Sequence, residues 1–148
     1  MTQERVLLIN PWIHDFAAYD FWLRPMGLLY LASRLRRWGF EVHFVDCLDR
    51  YNPRLLERQK RSLPRGKADG RGMFDKEEIP KPPVLREVPR RYSRYGLPPD
   101  IFLEELASLP EPNVILVTWL DDLLVPVYPV RNRVNALGGL RRPESPCR

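Results

Sequence analysis

Cysteine is scarce in this chain. Cys47 and Cys147 are the only two, and neither belongs to a C-x-x-C pair. A zinc or iron–sulfur site built from this chain alone therefore lacks ligands. So small a count suits a reduced, cytoplasmic protein rather than a disulfide scaffold. Histidine is equally rare, with His14 and His43 alone. No G-x-G-x-x-G occurs, which argues against a nicotinamide dinucleotide cradle. No apolar run approaches the roughly eighteen residues that span a bilayer, and the first residues lack the basic–apolar–small order of a secretory signal. The expectation is a cytoplasmic chain with no membrane span and no metal site of its own.

What is present suffices for one domain. The chain has 148 residues, 44% of them hydrophobic, enough to bury an ordinary core. Its sixteen prolines are about twice the usual share, and most follow Tyr51, so the second half reads as loop-rich. The net charge is +5. Arginines cluster at Arg34, Arg36 and Arg37 and again at Arg90, Arg91 and Arg94. No recognition motif accompanies them, so they read as solvated surface and not as a nucleic-acid interface.

The first fifty residues carry the clearest pattern. Val6 to Ile9 is a short unbroken apolar run, as expected for a strand covered on both faces of a parallel sheet. Pro11 ends it. Pro25 precedes a helix near residues 26–38, in which Leu28, Leu31, Leu35 and Trp38 form one buried stripe opposite Arg34 and Arg37. Gly39 stops that helix. Val42, Phe44 and Val45 belong to a second strand at 41–46, closed by Asp46. Val114 to Thr118 reads as a third buried strand at 113–118, preceded by a short amphipathic helix near 99–109 that begins at Pro98 and Pro99. The fold class is α/β, a partial doubly wound (Rossmann or flavodoxin-like) parallel sheet of order 2-1-3 over residues 1–118. Half a doubly wound sheet leaves an edge and a face uncovered, so marginal stability or self-association is expected.

A long irregular insertion, about residues 49–98, interrupts this scheme, with a helical turn or two expected between Tyr51 and Lys60. Arg90 to Gly96 reads as a basic loop pinned by Tyr92 and Tyr95, the alternative being a surface for phosphate or a flat ligand. Residues 119–148 form a degenerate or disordered tail. Asp121, Asp122, Pro126 and Pro129 prevent the core helix that should follow the third strand.

In α/β sheets ligands bind past the carboxyl ends of the strands. That rule selects Asn10, His14, Asp15, Asp46 and Thr118 as cofactor-binding candidates, with no catalytic residue and no metal ligand assigned. A neutral imidazole at His14 is suited to ligate a metal or exchange a proton, and otherwise makes a structural hydrogen bond. His43 reads as satisfied locally or exposed on an edge. Asp15 and Asp20 read as caps of turns or of the following helix. Asp46 stands where such domains often hold a ribose hydroxyl. Trp12, Phe16, Tyr19, Phe21 and Trp22 crowd the loop 11–22 with aromatic surface, either walling a pocket for a planar ligand or packing on a partner domain.

Four blocks occur in order: "VLLINPWIHDFAAYDFWLRPMGLLYLASRLRRWGFEVHFVDCLDR", "DGRGMFDKEEIPKPPVL", "PRRYSRYGLPPDIFLEEL" and "PNVILVT". Together, over about residues 5–118, they resemble the N-terminal domain of a radical S-adenosylmethionine (radical SAM) protein family. The resemblance implies a cobalamin-binding-like Rossmann domain preceding a barrel. In the full-length family, the barrel's C-x-x-x-C-x-x-C motif holds a 4Fe-4S cluster that cleaves S-adenosylmethionine. This chain has no such motif. It also lacks D-x-H-x-x-G, by which many cobalamin domains place a histidine under cobalt. His14 stands in the equivalent first loop without the glycine.

The leading functional reading is thus a non-catalytic N-terminal fragment that covers the barrel of a radical SAM protein, with cobalamin as its candidate cofactor. A stand-alone interaction module using the aromatic loop 11–22 is the alternative, and a small enzyme using His14 and Asp15 ranks last. The resemblance stops at Thr118, where the family continues with a stretch like "MTYWYP". Trp119 to Pro126 can be written TGG CTG GAT GAC CTA CTG GTA CCC. Read one base later, that string gives G-W-M-T-Y-W-Y and a codon beginning CC. The expectation is a change of reading frame after Thr118.

Overall fold

The two apolar runs, Val6 to Ile9 and Val114 to Val117, lie side by side in the middle of a sheet. The structure is a computed structural model that describes residues 4–21 and 24–118 and the backbone of 124–129. Strand β1 (Arg5–Asn10) pairs in parallel with β3 (Glu41–Asp46) on one side and β6 (Val114–Thr118) on the other. Strand β7 (Leu124–Pro129) adds antiparallel to β6, giving the order β3-β1-β6-β7. It falls within the expected tail. Val125, Val127 and Tyr128 favour extended backbone, and its two prolines are tolerable because, among the described residues, the strand is an edge. The remainder of the tail lies outside the described residues.

Alternation along β1 divides the core between the two sheet faces. Val6 and Leu8 pack with Val42 against Leu28 and Ala32 of α1 (Met26–Arg37). Leu7 and Ile9 pack with Val45 and Cys47 against Phe102 of α3 (Pro99–Ala107). Each face therefore carries a helix, and neither side of β1 is bare. Helix α1 closes as expected: Gly39 adopts φ +90°, Gly39 N–H donates to Arg36 O and Phe40 N–H to Leu35 O, the paired bonds of a Schellman ending. Trp38 corrects the expected stripe. It is the capping residue after the last helical turn, 62% exposed, with the Arg34 guanidinium over its ring.

The insertion is more regular than its composition suggests. Asn52 accepts from Arg54 N–H and Leu55 N–H and starts α2 (Pro53–Arg58). Three short strands, β2 (Ile13–Asp15), β4 (Lys76–Glu78) and β5 (Ser93–Tyr95), form a separate antiparallel sheet of order β2-β5-β4. Ile13, Phe74 and Tyr95 make its core. Among the described residues no helix is long and apolar enough to cross a membrane.

Candidate functional site

Strands β1 and β3 run in register, so their last residues, Asn10 and Asp46, are neighbours. Asn10 Nδ2 donates to Asp46 Oδ1 at 2.7 Å, and Leu48 N–H donates to the same oxygen at 2.9 Å. Burial pushes the Asp46 carboxyl above its ordinary range, opposed by these two donors, and the nearby Asp49 adds to the rise. Next along the chain, burial raises the Cys47 thiol to about 12, which leaves it protonated and unreactive at neutral pH.

The β1–β3 part of the strand-end edge is filled by the chain itself. Cys47 N–H donates to Asn10 O, and Leu97 N–H donates to Cys47 O at 2.7 Å. Gly96 adopts φ +123°, and a side chain there would collide with the Cys47 carbonyl oxygen. Trp12 Nε1 donates to Leu97 O at 2.6 Å, and its ring meets Phe102 edge-on at 4.8 Å. Trp12 and the 95–97 segment thus form a lid over the first two strand ends. Thr118 ends β6, on the other side of β1, and is half-buried.

His14 and Asp15 stand apart from the Asn10–Asp46 pair. Both are exposed on β2, and as consecutive strand residues they point to opposite faces, so they do not form an acid–base dyad. The loop 11–22 and the 90–95 cluster, read separately from sequence, are one surface. His14 pairs with Arg94 across the sheet, and Tyr92 Oη donates to His14 O at 3.2 Å. Phe16 meets Tyr92 at 5.4 Å, with the Arg90 guanidinium over the Phe16 ring and that of Arg94 over Trp12. Arg94 also pairs with Glu77. Burial, and then the Arg94 charge, lower the His14 pKa, so the imidazole is neutral at pH 7. The expected 90–96 loop is in part the strand β5, with Tyr95 buried in the core and Tyr92 bonded to His14 O. Phe21 remains exposed beside Tyr19; Trp22 lies outside the described residues. His43 is satisfied locally by Glu41 at 2.9 Å on the edge strand.

Asp15 Oδ1 accepts the Phe16 N–H in a local turn, but neither Asp15 nor Asp20 caps α1, whose N-cap is Pro25 without a side-chain bond. Asp20 instead forms a buried ion pair with Arg50 at 2.9 Å, the two side chains each 4% exposed. Arg50 Nη1 also donates to Arg65 O and Nη2 to Gly70 O, fastening the 65–72 loop. A side chain at Gly72 would strike the Arg50 guanidinium. No local pattern marks this pair, because its partners are thirty positions apart.

Among the described residues no group of three or more His, Cys, Asp or Glu side chains could hold a metal ion. Comparison with protein-family models, with curated proteins and with solved structures found no match.

Proposed function

We propose that this chain is the N-terminal, cobalamin-binding-like domain of a radical SAM protein, non-catalytic without the cluster-binding barrel. The fold it calls for is a partial doubly wound sheet, strand order 2-1-3, whose carboxyl edge faces the barrel. The observation that carries the reading is the central β1, parallel to both neighbours, with α1 on one face and α3 on the other. Such a sheet changes winding direction beside its first strand, and that is where doubly wound domains hold ligands. The four ordered sequence blocks supply the family.

Cobalamin is the cofactor this reading proposes. When bound it would supply a cobalt centre for group-transfer or radical chemistry. The exposed, neutral imidazole of His14 is the side chain that would donate to the cobalt. On this reading Asn10, His14, Asp15, Asp46 and Thr118 are the residues that would contact the cofactor, Asn10 and Asp46 as a hydrogen-bonded pair. Incubating the purified chain with hydroxocobalamin, desalting, and recording the visible spectrum tests this. Retained chromophore, with a band shift lost in His14→Ala, is expected. No retained chromophore would remove cobalamin from the proposal.

An interaction module stands second, supported by Phe21 and by the exposed Met26 and Tyr30 at the start of α1. A full-length homologous barrel that fails to bind this chain, while an unrelated partner does, would favour it.

A further inference from the structure

The insertion forms a half-open cavity of about 460 Å³ between α2, the 61–65 segment and the start of β4. That volume is in the range of small-molecule sites, about 300–1,000 Å³. Its floor is apolar: Leu55 and Phe74 line it, and both are buried. Its rim is cationic. Arg61, Arg65 and Lys76 line it with exposed side chains. Among the described residues none of the three has a salt-bridge partner, while the Lys76 ammonium lies 6.0 Å from the centre of the Tyr95 ring and the Arg65 charge acts on Asp75. The one lining carboxylate, Asp75, is half-buried and accepts from Gln59 Nε2 at 3.0 Å. Arg50 also lines the cavity, with its guanidinium bonded to Asp20, Arg65 O and Gly70 O.

We propose that this cavity binds a small phosphomonoester, with the phosphate among Arg61, Arg65 and Lys76 and an apolar body on Leu55 and Phe74. Two guanidinium groups and an ammonium suit a dianion with several acceptor oxygens, since guanidinium forks match phosphate geometry. Three cations against one carboxylate leave the cavity positive, and a buried aromatic floor gives a bare inorganic ion no advantage. The proposal does not rest on cobalamin, although the cavity's backbone touches the lid, since Gly96 N–H donates to Asp75 O at 2.8 Å.

Titration calorimetry of the whole chain with phenyl phosphate tests it, with inorganic phosphate and phenylacetate as comparison probes. Phenyl phosphate should bind saturably at one site, more tightly than either comparison probe. Arg61→Ala and Arg65→Ala should each weaken it about tenfold, and Lys76→Ala serves as well if either arginine variant misfolds by circular dichroism. Asp75→Asn should tighten binding by removing the opposing charge, and Arg37→Ala, on α1, should leave it unchanged. No saturation by about 10 mM, a dissociation constant weaker than any useful site, would overturn the proposal. So would wild-type affinity in the folded arginine variants, or inorganic phosphate or phenylacetate binding as tightly as phenyl phosphate.

Discussion

The Asn10 side-chain amide donates to Asp46 Oδ1 at 2.7 Å, joining the carboxyl ends of two parallel strands across the candidate edge. Burial holds the Asp46 carboxyl above its ordinary range, so the folded chain takes up this proton more readily than the unfolded chain. Ionised Asp46 therefore costs stability above its folded pKa, and that cost is relieved as pH falls through it. An amide keeps an acceptor oxygen without the charge. Asp46→Asn should raise the melting temperature at pH 7, with the gain narrowing toward about pH 4 as the wild-type carboxyl protonates. A lower melting temperature for the variant at every pH would contradict this.

Removing one member of a buried ion pair strands the other. Asp20→Ala should cost about 3–5 kcal/mol in chemical denaturation, because Arg50 keeps its charge inside the protein. Asp100→Ala, which breaks the exposed pair with Arg58, should change stability little. Equal effects would mean that the Asp20–Arg50 pair does not hold the 65–72 loop.

Gly96 sits where a side chain has neither the backbone freedom nor the room. Gly96→Ala should destabilise by at least about 2 kcal/mol, from left-handed strain plus the clash with Cys47 O. It should also open the lid, seen as greater solvent exposure of Trp12 by fluorescence. A variant as stable as the wild type, with unchanged emission, would show that the lid is not held at this point.

Cys47 is fully buried, and its thiol is pushed up to about 12. At pH 8 it should resist N-ethylmaleimide in the folded chain and react once guanidinium unfolds it, with peptide mass spectrometry separating it from Cys147. Rapid native labelling of the Cys47 peptide would contradict the packing of this strand end.

The main sheet is legible because its strands carry their own signal. "VLLI" and "VILV" are continuous apolar runs, and Leu28, Leu31 and Leu35 repeat at helical spacing. The second sheet is not legible. Ile13–Asp15, Lys76–Glu78 and Ser93–Tyr95 are three residues each, too short to show a period, and Lys-Glu-Glu has no strand propensity. Only their pairing with one another makes them strands. At the site, the strand-end rule finds Asn10 and Asp46 as neighbours, since register follows from parallel pairing. It misses the lid, because nothing local tells that Gly96 and Leu97 return to Cys47 and Trp12. Trp38 is misread as core because the apolar stripe continues one residue past the last helical turn.

The coding DNA downstream of codon 118 tests the central claim most directly, that this chain is the first domain of a radical SAM protein. The frame shifted by one base should continue without early stops through a stretch like "MTYWYP" into a region encoding C-x-x-x-C-x-x-C. Early stops in that frame, or an open frame without the cysteine motif, would contradict it.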